Sequence, residues 1–477
     1  MVHHPTDESL LKKALLRLKY EELFLFMLKI EYLKIKNNSI INGYEKKFDQ
    51  EKIKNFIDQL PFELTVDQNK AVDDIIDDIK SPRRMNRLLQ GDVGSGKTIV
   101  SVIAIYAMFL SNYQSALMAP TEILAKQHYF NIKELFKDSN ISIELLIGSL
   151  SKSEKNNIYK RLEDGEIDLT IGTHALIQEG VNYHNLGLVI TDEQHRFGVN
   201  QRANLKNKGK VPDVLYMSAT PIPRTYALTI YGDMDISSIK TIPIGRRKII
   251  TYLKQPKEIK EILIIMQKEL SLGHQIYVVA PLIEESDKID LENVDKLKHQ
   301  LELAFGKLFK IEMLHGRMNV DDKEKVMANF LNKEINILIS TTVIEVGIDV
   351  PNATMMVIFD ADRFGLSTIH QLRGRVGRSN LQSYCILISD KERERLKILT
   401  KTNDGFAISE ADFKIRGQGD LFGIKQSGDM IFKIADLKKD FKILLKAKED
   451  VQDFISNNKL DNYIDIKEEL QGTLKLE

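Results

Sequence analysis

The sequence predicts an α/β protein with two tandem domains, each built on a parallel β-sheet. Short apolar runs alternate with amphipathic helical segments from residue 61 to about residue 244, and the same alternation starts again near residue 249. Alternating strands and helices are typical of parallel sheets with right-handed crossovers. The predicted domains are 59–245 and 246–400, with a helical segment at 1–58 and a C-terminal part at 401–477.

The composition fits a globular protein without a membrane segment. The 477 residues are 43% hydrophobic and 29% charged, which suits roughly two to four domains with cores of their own. The apolar run at 23–28 is too short to span a bilayer, and the first residues lack a signal-peptide pattern. Cys385, the only cysteine, lies in an apolar strand pattern, so we expect a core residue and no intrachain disulfide. These features predict a cytoplasmic protein.

The charge balance does not by itself indicate a nucleic-acid partner. Lys plus Arg and Asp plus Glu both number 68, so the formal net charge is zero. Any surface that binds phosphates must therefore be a local patch.

The first predicted element is a long helix from about Ser9 to Lys36, which residues 37–44 interrupt. A short helix then ends before Pro61. In the first domain the apolar runs predict strands at 87–90, 116–119, 169–172, 188–191 and 214–218.

The second domain follows a linker at 241–248. Its charged segment at 284–300 is expected to be a surface insertion or a helix. After about residue 391 the chain becomes charged and helical, with a glycine-rich interruption between 416 and 428. The strands predicted for this domain lie at 275–280, 335–340, 355–359 and 384–388.

Residues 91–98 match the phosphate-binding pattern G-x-x-x-x-G-K-[ST], between an apolar strand and a helix. Glycines allow backbone N–H groups to surround phosphates, and the helix N-terminus adds partial positive charge. Lys97 is expected to reach the β- and γ-phosphates of ATP, and the Thr98 hydroxyl to bind Mg²⁺. A chance glycine-rich turn is the alternative. The loop glycines are Gly91, Gly94 and Gly96.

An acidic pair, Asp192 and Glu193, ends the apolar run at 186–190. A carboxylate at the end of a parallel strand beside the loop can hold Mg²⁺, which is the role predicted for Asp192. Glu193 is predicted to orient or deprotonate the attacking water. Such a pair alone is more often a helix cap, but the neighbouring phosphate loop favours catalysis.

Three further segments resemble motifs II, III and VI of superfamily 2 helicases, in the order of that family: 192–195, 218–220 and 371–378. The resemblance implies two RecA-like domains with an ATP site between them. It also implies that Arg375 and Arg378 are arginine fingers, whose planar donors suit a γ-phosphate. A solvated basic turn is the alternative for this segment.

Residues 60–68 resemble the adenine-recognising Q motif. Gln68 carries a donor and an acceptor that match an adenine edge, and Phe62 could stack on the ring. A helix start with Thr65 as N-cap is the alternative.

The resemblance also implies a DNA track and a route that couples it to the nucleotide. Threonines in motifs Ia, Ib and V are expected to hold DNA phosphates without reading bases. In motif V, Gly347 and Asp349 are expected to face the nucleotide. The track threonines are Thr121, Thr173 and Thr342, and the coupling candidates are His195, Ser218 and Thr220.

A closer resemblance is to the RecG family of bacterial branched-DNA helicases, over nearly the whole chain from Pro5. Residues 412–428 resemble the helical-hairpin translocation motif of that family, in which Arg416 and Gln426 would link lobe movement to DNA movement. Alone, that stretch would be read as a glycine-rich loop. The other segments that carry the resemblance are 85–98, 192–199, 219–225 and 363–366.

The resemblance implies an ATP- and Mg²⁺-dependent helicase that acts on forks and Holliday junctions in recombination and repair. It implies a monomer, with a single-stranded DNA-binding protein as a candidate partner. Family members carry an N-terminal OB-fold wedge, and we expect this chain to start near its end. The alternatives are a duplex translocase or DNA-binding ATPase without fork unwinding, a transcription-repair coupling translocase, and a non-catalytic DNA-binding remnant.

Overall fold

The computed structural model of the protein confirms two parallel sheets with flanking helices. No helix in the part of the chain described below is long and apolar enough to cross a membrane. The structure describes residues 7–38, 46–193, 205, 208–221, 234–241, 243, 247–281, 287–341, 350–391, 394–416, 432–436 and 439–457.

The first lobe contains a seven-stranded parallel sheet in the order β3-β4-β2-β5-β6-β1-β7. The five predicted strands lie within two residues of their predicted limits, whereas β3 and β7, which form the two edges, were not predicted. The strands are β1 (Asn86–Gly91), β2 (Gln114–Met118), β3 (Ile143–Leu146), β4 (Leu169–Gly172), β5 (Leu186–Thr191), β6 (Asp213–Ser218) and β7 (Asp235–Ile239).

Helices cover both faces of this sheet. The helix that follows the phosphate loop is apolar on nearly every side and is buried against the sheet. These helices are α2 (Gln50–Asp58), α3 (Val66–Lys80), α4 (Lys97–Leu110), α5 (Glu122–Leu135) and α6 (Lys152–Glu163).

The second lobe contains a six-stranded parallel sheet in the order β10-β11-β9-β12-β13-β8. Its edge strands β8 and β10 are again the ones that the sequence did not predict. Cys385 lies fully buried in β13, as expected of a core residue. The strands are β8 (Ile250–Lys254), β9 (Gln275–Val279), β10 (Ile311–Leu314), β11 (Ile337–Ser340), β12 (Ala353–Ile358) and β13 (Tyr384–Ile388).

The charged segment at 284–300 lies mostly in a helix, α8, which packs on one face of this sheet. Among the described residues beyond the second sheet there are three further helices. The helices of this part are α7 (Ile259–Ser271), α8 (Asp287–Phe305), α9 (Val320–Leu331), α10 (Leu366–Arg373), α11 (Glu394–Lys401), α12 (Gly405–Arg416) and α13 (Phe441–Ser456).

The N-terminal helix α1 (Glu8–Asn38) packs lengthwise against α13, near the other end of the chain. Lys19 Nζ pairs with Asp440 at 2.8 Å, and the Tyr20 hydroxyl donates to Asp450 at 2.7 Å. Leu23, Met27, Leu28, Leu444, Ala447 and Val451 form the apolar core of this pair.

The two lobes touch each other. Ile123 of α5 packs against the core of the second lobe. Beside it, Lys126 Nζ pairs with Glu324 of α9 at 2.6 Å. The carboxyl ends of the strands in the first sheet therefore face the second lobe across a narrow cleft.

Candidate active site

The phosphate loop connects β1 to α4 at the carboxyl edge of the first sheet. Gly94 and Gly96 have φ values of 76° and 85°, in the left-handed region that favours glycine. A β-carbon at Gly91 would lie 2.5 Å from Ser95 Oγ and 2.9 Å from Ile239 O, so this position also requires glycine. The loop thus brings its backbone N–H groups to a helix N-terminus, an arrangement that suits phosphate.

Lys97 is the first residue of α4, and its amine turns into the loop. Nζ donates to the backbone oxygens of Gly91 and Asp92 at 2.9 and 3.0 Å. Burial lowers the pKa of Lys97; the carboxylates of the acidic pair oppose that shift, and the charge of Arg378 adds to it. The amine therefore lies within electrostatic reach of the acidic pair and of an arginine from the second lobe.

The acidic pair follows β5 directly. Asp192 Oδ2 lies 3.0 Å from His128 Nε2, and Asp192 Oδ1 accepts a hydrogen bond from the Glu193 amide at 3.0 Å. Burial alone would raise the pKa of Asp192, but the hydrogen bond with His128 and the charge of Lys97 outweigh it, and the pKa is lowered. Asp192 is therefore ionised at neutral pH.

Glu193 has a φ of 50°, a conformation that residues other than glycine rarely adopt and that clusters at functional sites. Its Oε2 accepts a hydrogen bond from the Ala219 amide at 3.4 Å. The hydroxyls of Ser218 and Thr220, on either side of Ala219, lie 3.0 Å apart and share a hydrogen bond. The structure thus joins the predicted catalytic base to two of the predicted coupling residues.

Sequence reasoning did not identify His128. It lies on α5, seven residues after Thr121, on the buried face that also carries Leu124 and Ala125. A histidine among apolar residues on a helix that follows a central strand of the same sheet is the signal that could have found it.

Gln68 is largely committed to the protein. Its Oε1 accepts from the Thr65 amide at 2.8 Å in a capping box at the start of α3, and its Nε2 donates to Ser95 O at 2.8 Å. Gln68 therefore ties the phosphate loop to α3. Thr65 is the N-cap of α3, as the alternative to a Q motif predicts. Phe62 is 48% exposed. Adenine recognition by Gln68 and Phe62 stays a prediction.

The second lobe presents its arginines just after α10. Arg378 Nε donates to Gly374 O at 3.2 Å, and its charge acts on Lys97 across the cleft. Arg375 and Arg378 both act electrostatically on the buried hydroxyl of Tyr277, whose pKa burial raises. The structure thus brings at least Arg378 toward the phosphate loop.

Two predicted track residues lie at neighbouring strand ends. Thr121 follows β2, and its hydroxyl accepts from the Leu124 amide at 3.3 Å as the N-cap of α5. Thr173 follows β4, which pairs with β2, and is 2% exposed. Its hydroxyl has no hydrogen-bond partner among the described residues. Both lie on the far side of β5 from the phosphate loop.

Other predicted residues lie where the structure gives no description. Arg416 is the last residue of α12, but its side chain is outside the described part. The residues that fall outside entirely are His195, Thr342, Gly347, Asp349 and Gln426.

Family models match three parts of the chain. A DEAD/DEAH box helicase model matches residues 65–228, and a helicase conserved C-terminal domain model matches residues 254–380. A model of the C-terminal part of domain 3 of the ATP-dependent DNA helicase RecG matches residues 402–469.

Curated relatives and solved structures agree with these matches. The chain is 50% identical over 461 residues to the ATP-dependent DNA helicase RecG of Staphylococcus aureus strain NCTC 8325, covering 96% of this chain and 67% of that protein. It is 48% identical to RecG of Bacillus subtilis strain 168, covering 98% and 70%. A structure of RecG bound to a three-way DNA junction matches with a TM-score of 0.75 and 44% identity, covering 91% of this chain and 57% of that one. The chain belongs to the RecG family of ATP-dependent DNA helicases.

Proposed function

We propose that this chain hydrolyses ATP in the cleft between its lobes and uses that energy to move along and unwind branched DNA. The observation that carries the proposal is the convergence on Lys97 of the acidic pair from the first lobe and Arg378 from the second. Movement of the lobes would then follow the nucleotide state, because the nucleotide would contact both lobes. The RecG structure bound to a three-way DNA junction supports branched DNA as the substrate.

The residues of the first lobe fit ATP with Mg²⁺. The loop offers backbone N–H groups and the amine of Lys97, whose hydrogen bonds within the described part of the chain go to backbone oxygens. Thr98 and Asp192 would hold the cation, since a hydroxyl and an ionised carboxylate are the hard oxygen ligands that Mg²⁺ prefers. When bound, Mg²⁺ supplies neutralisation of phosphate charge.

The proposed catalytic roles divide between the two lobes. Glu193 orients the attacking water and accepts its proton, while Arg375 and Arg378 stabilise charge on the γ-phosphate. An arginine of this kind contributes about 10³–10⁵ in rate in related phosphoryl-transfer systems.

The proposed coupling route starts at Glu193, whose carboxylate contacts the segment containing Ser218 and Thr220. DNA phosphates would lie along Thr121 and Thr173, which follow the carboxyl ends of the paired strands β2 and β4. Gly347 and Asp349 would complete the nucleotide site. His195, Thr342, Arg416 and Gln426 complete the proposed coupling and track residues.

The proposed organisation is a helical segment at 1–58, two motor domains at 59–245 and 246–400, and a translocation segment at 401–477. We propose a monomer, because both halves of the ATP site come from one chain. A cytoplasmic location and a single-stranded DNA-binding protein as partner complete the proposal.

The test is the steady-state ATPase rate with Mg²⁺, measured without DNA, with linear duplex and with a model fork. Lys97→Ala is expected to abolish turnover under all three conditions, because the phosphates lose their only lysine ligand in the loop. Lys133→Ala on α5, an exposed lysine next to Tyr129, is the matched control and should keep the parent rate. Normal turnover by Lys97→Ala would contradict the site.

A further inference from the structure

Asp92 belongs to the phosphate loop, but its side chain faces the second lobe. Its Oδ1 lies 2.5 Å from His370 Nε2 in α10, and its Oδ2 accepts a hydrogen bond from the Gly405 amide at 3.2 Å. The chain reaches Arg378 directly after α10, and Gly405 is the first residue of α12, which ends at Arg416. The Asp92 carboxylate therefore links the phosphate loop to two helices, α10 through His370 and α12 through Gly405.

The hydrogen on His370 can be assigned from its other neighbour. Arg373 Nη2 lies 2.8 Å from His370 Nδ1. A guanidinium only donates, so Nδ1 accepts, and the ring hydrogen lies on Nε2 and is donated to Asp92. Arg373 is 1% exposed, and its Nη1 donates to Leu399 O and Thr402 O at 2.8 and 3.1 Å. The imidazole is thus held in one orientation by a buried guanidinium that is itself anchored to backbone oxygens.

Two glycines make this close approach possible. A β-carbon at Gly405 would lie 2.7 Å from His370 Nε2 and 3.0 Å from Asp92 Cγ. A β-carbon at Gly374 would lie 2.8 Å from Val93 Cβ in the phosphate loop. Real β-carbons essentially never approach other atoms below 3.0 Å. The segment after α10 and the start of α12 therefore fit the loop only without side chains at these two positions.

The carboxylate of Asp92 is not what holds Lys97. Lys97 Nζ bonds the backbone oxygen of Asp92, so the amine contact needs no side chain at this position. Within the loop the carboxylate makes a local contact with the Val93 amide at 2.7 Å. Among the described residues its longer-range hydrogen bonds go to the second lobe and to α12, while its negative charge also acts on Lys97.

We propose that Asp92 is a positioning residue that latches the phosphate loop to α10 and to α12 in the closed cleft. The proposal rests on the ATP hydrolysis proposed above. When nucleotide fills the loop, the Asp92 carboxylate fixes the position of His370, and thereby the position of the segment that carries Arg378. The same carboxylate fixes the position of Gly405 at the start of α12, in the translocation segment.

The test measures lobe closure by fluorescence energy transfer in the full chain. Cys385 is buried and burial raises the pKa of its thiol to about 12, so it will not compete for labels. Phe130→Cys on α5 and Ile264→Cys on α7, at positions 65% and 66% exposed, provide one site on each lobe. Closure is recorded with a non-hydrolysable ATP analogue and a model fork.

Asp92→Ala is expected to reduce both the ratio of closed to open chains and the DNA-stimulated turnover by about tenfold or more, because the hydrogen bonds from His370 and from the Gly405 amide are both lost. ATP affinity without DNA should change by less than about twofold, because Lys97 and the loop amides keep their positions. His370→Ala removes one of these two contacts and should change both quantities in the same direction, and the double variant should be no worse than Asp92→Ala. Asp92→Asn replaces Asp92→Ala if the alanine variant does not fold. It keeps the size of the side chain but places its amide donor against the N–H of His370 or of Gly405, so an intermediate loss is expected.

Lys126→Ala is the matched control, since it removes a different interlobe contact, the ion pair with Glu324, without touching the loop. Its effect should add to that of Asp92→Ala. Parent-like closure by Asp92→Ala, an equal loss of ATP affinity and turnover, or simple additivity of the Asp92 and His370 changes would overturn the latch. A parent that closes with the analogue but never hydrolyses ATP would instead overturn the proposed function.

Discussion

At the scale of single residues, the acidic pair shows how a side chain outside the motifs prepares a group that is proposed to hold Mg²⁺. The hydrogen bond from His128 fixes one oxygen of Asp192 and helps to keep the carboxylate ionised in a buried position. Outer contacts of this kind tune the affinity of a metal site.

We therefore predict that His128→Ala raises the Mg²⁺ concentration needed for half-maximal ATPase activity by about tenfold, the lower end of the effect of losing such a contact. The measurement is a Mg²⁺ titration of the ATPase rate at saturating ATP. His184→Ala, an exposed histidine of the same lobe, is the control and should leave the titration unchanged. An unchanged titration for His128→Ala would show that His128 does not influence Mg²⁺ binding.

The residues found from sequence and those missed differ in one physical respect. Gly94, Gly96 and Lys97 act through local backbone geometry, which a short motif specifies completely. His128 and His370 act through contacts with distant parts of the chain. The sequence marks His128 as a histidine among apolar residues, but it does not show that the partner is Asp192.

At the scale of elements, burial decides which strands can be predicted. The nine strands found in the sequence are buried along nearly their whole length, because both faces of a central parallel strand are covered. The four missed strands are the edges of the two sheets, where Asp235 and Glu312 interrupt the apolar pattern. The partner of α1 was equally hidden, since helical spacing shows an apolar face but not what covers it.

The pairing of α1 with the C-terminal chain yields a prediction about Glu22. Its carboxylate accepts hydrogen bonds from the backbone amides of Lys433, Ile434 and Ala435. Burial works to raise the pKa of Glu22, but these hydrogen bonds outweigh it and the pKa is lowered. Glu22 thus holds residues 433–435 against α1. In the sequence these residues follow 417–431, which α12 precedes.

Glu22→Ala is expected to speed amide hydrogen exchange in 432–436 by about tenfold, from the loss of hydrogen bonds to a charged acceptor. Glu21→Gln, an exposed neighbour that pairs only loosely with Arg17, should leave that exchange unchanged. A carboxyl whose pKa is lower in the folded chain stabilises above its unfolded pKa and loses that effect as pH falls through the folded pKa. Protection of this segment should therefore weaken at acidic pH in the parent and not in Glu22→Ala.

At the scale of the whole molecule, the proposed ATP site lies between the two lobes, so that nucleotide binding would change how the lobes sit against each other. The first lobe supplies Lys97 and the acidic pair, and the second supplies Arg378. The pairing of α1 with α13 ties the two ends of the described chain together outside the cleft. If the proposed latch holds, a change at the nucleotide would reach α12 through Asp92, while α1 holds residues 433–435.

The most direct test of this account is ATP-dependent strand separation of a model fork, with ATP hydrolysis recorded in the same reaction. The account predicts that the parent hydrolyses ATP faster with the fork and separates its strands. Glu193→Gln should still bind ATP but lose both activities together, with hydrolysis reduced by about 10² or more because the water loses its base. Strand separation that persists in Glu193→Gln, or fork-independent hydrolysis without strand separation in the parent, would contradict it.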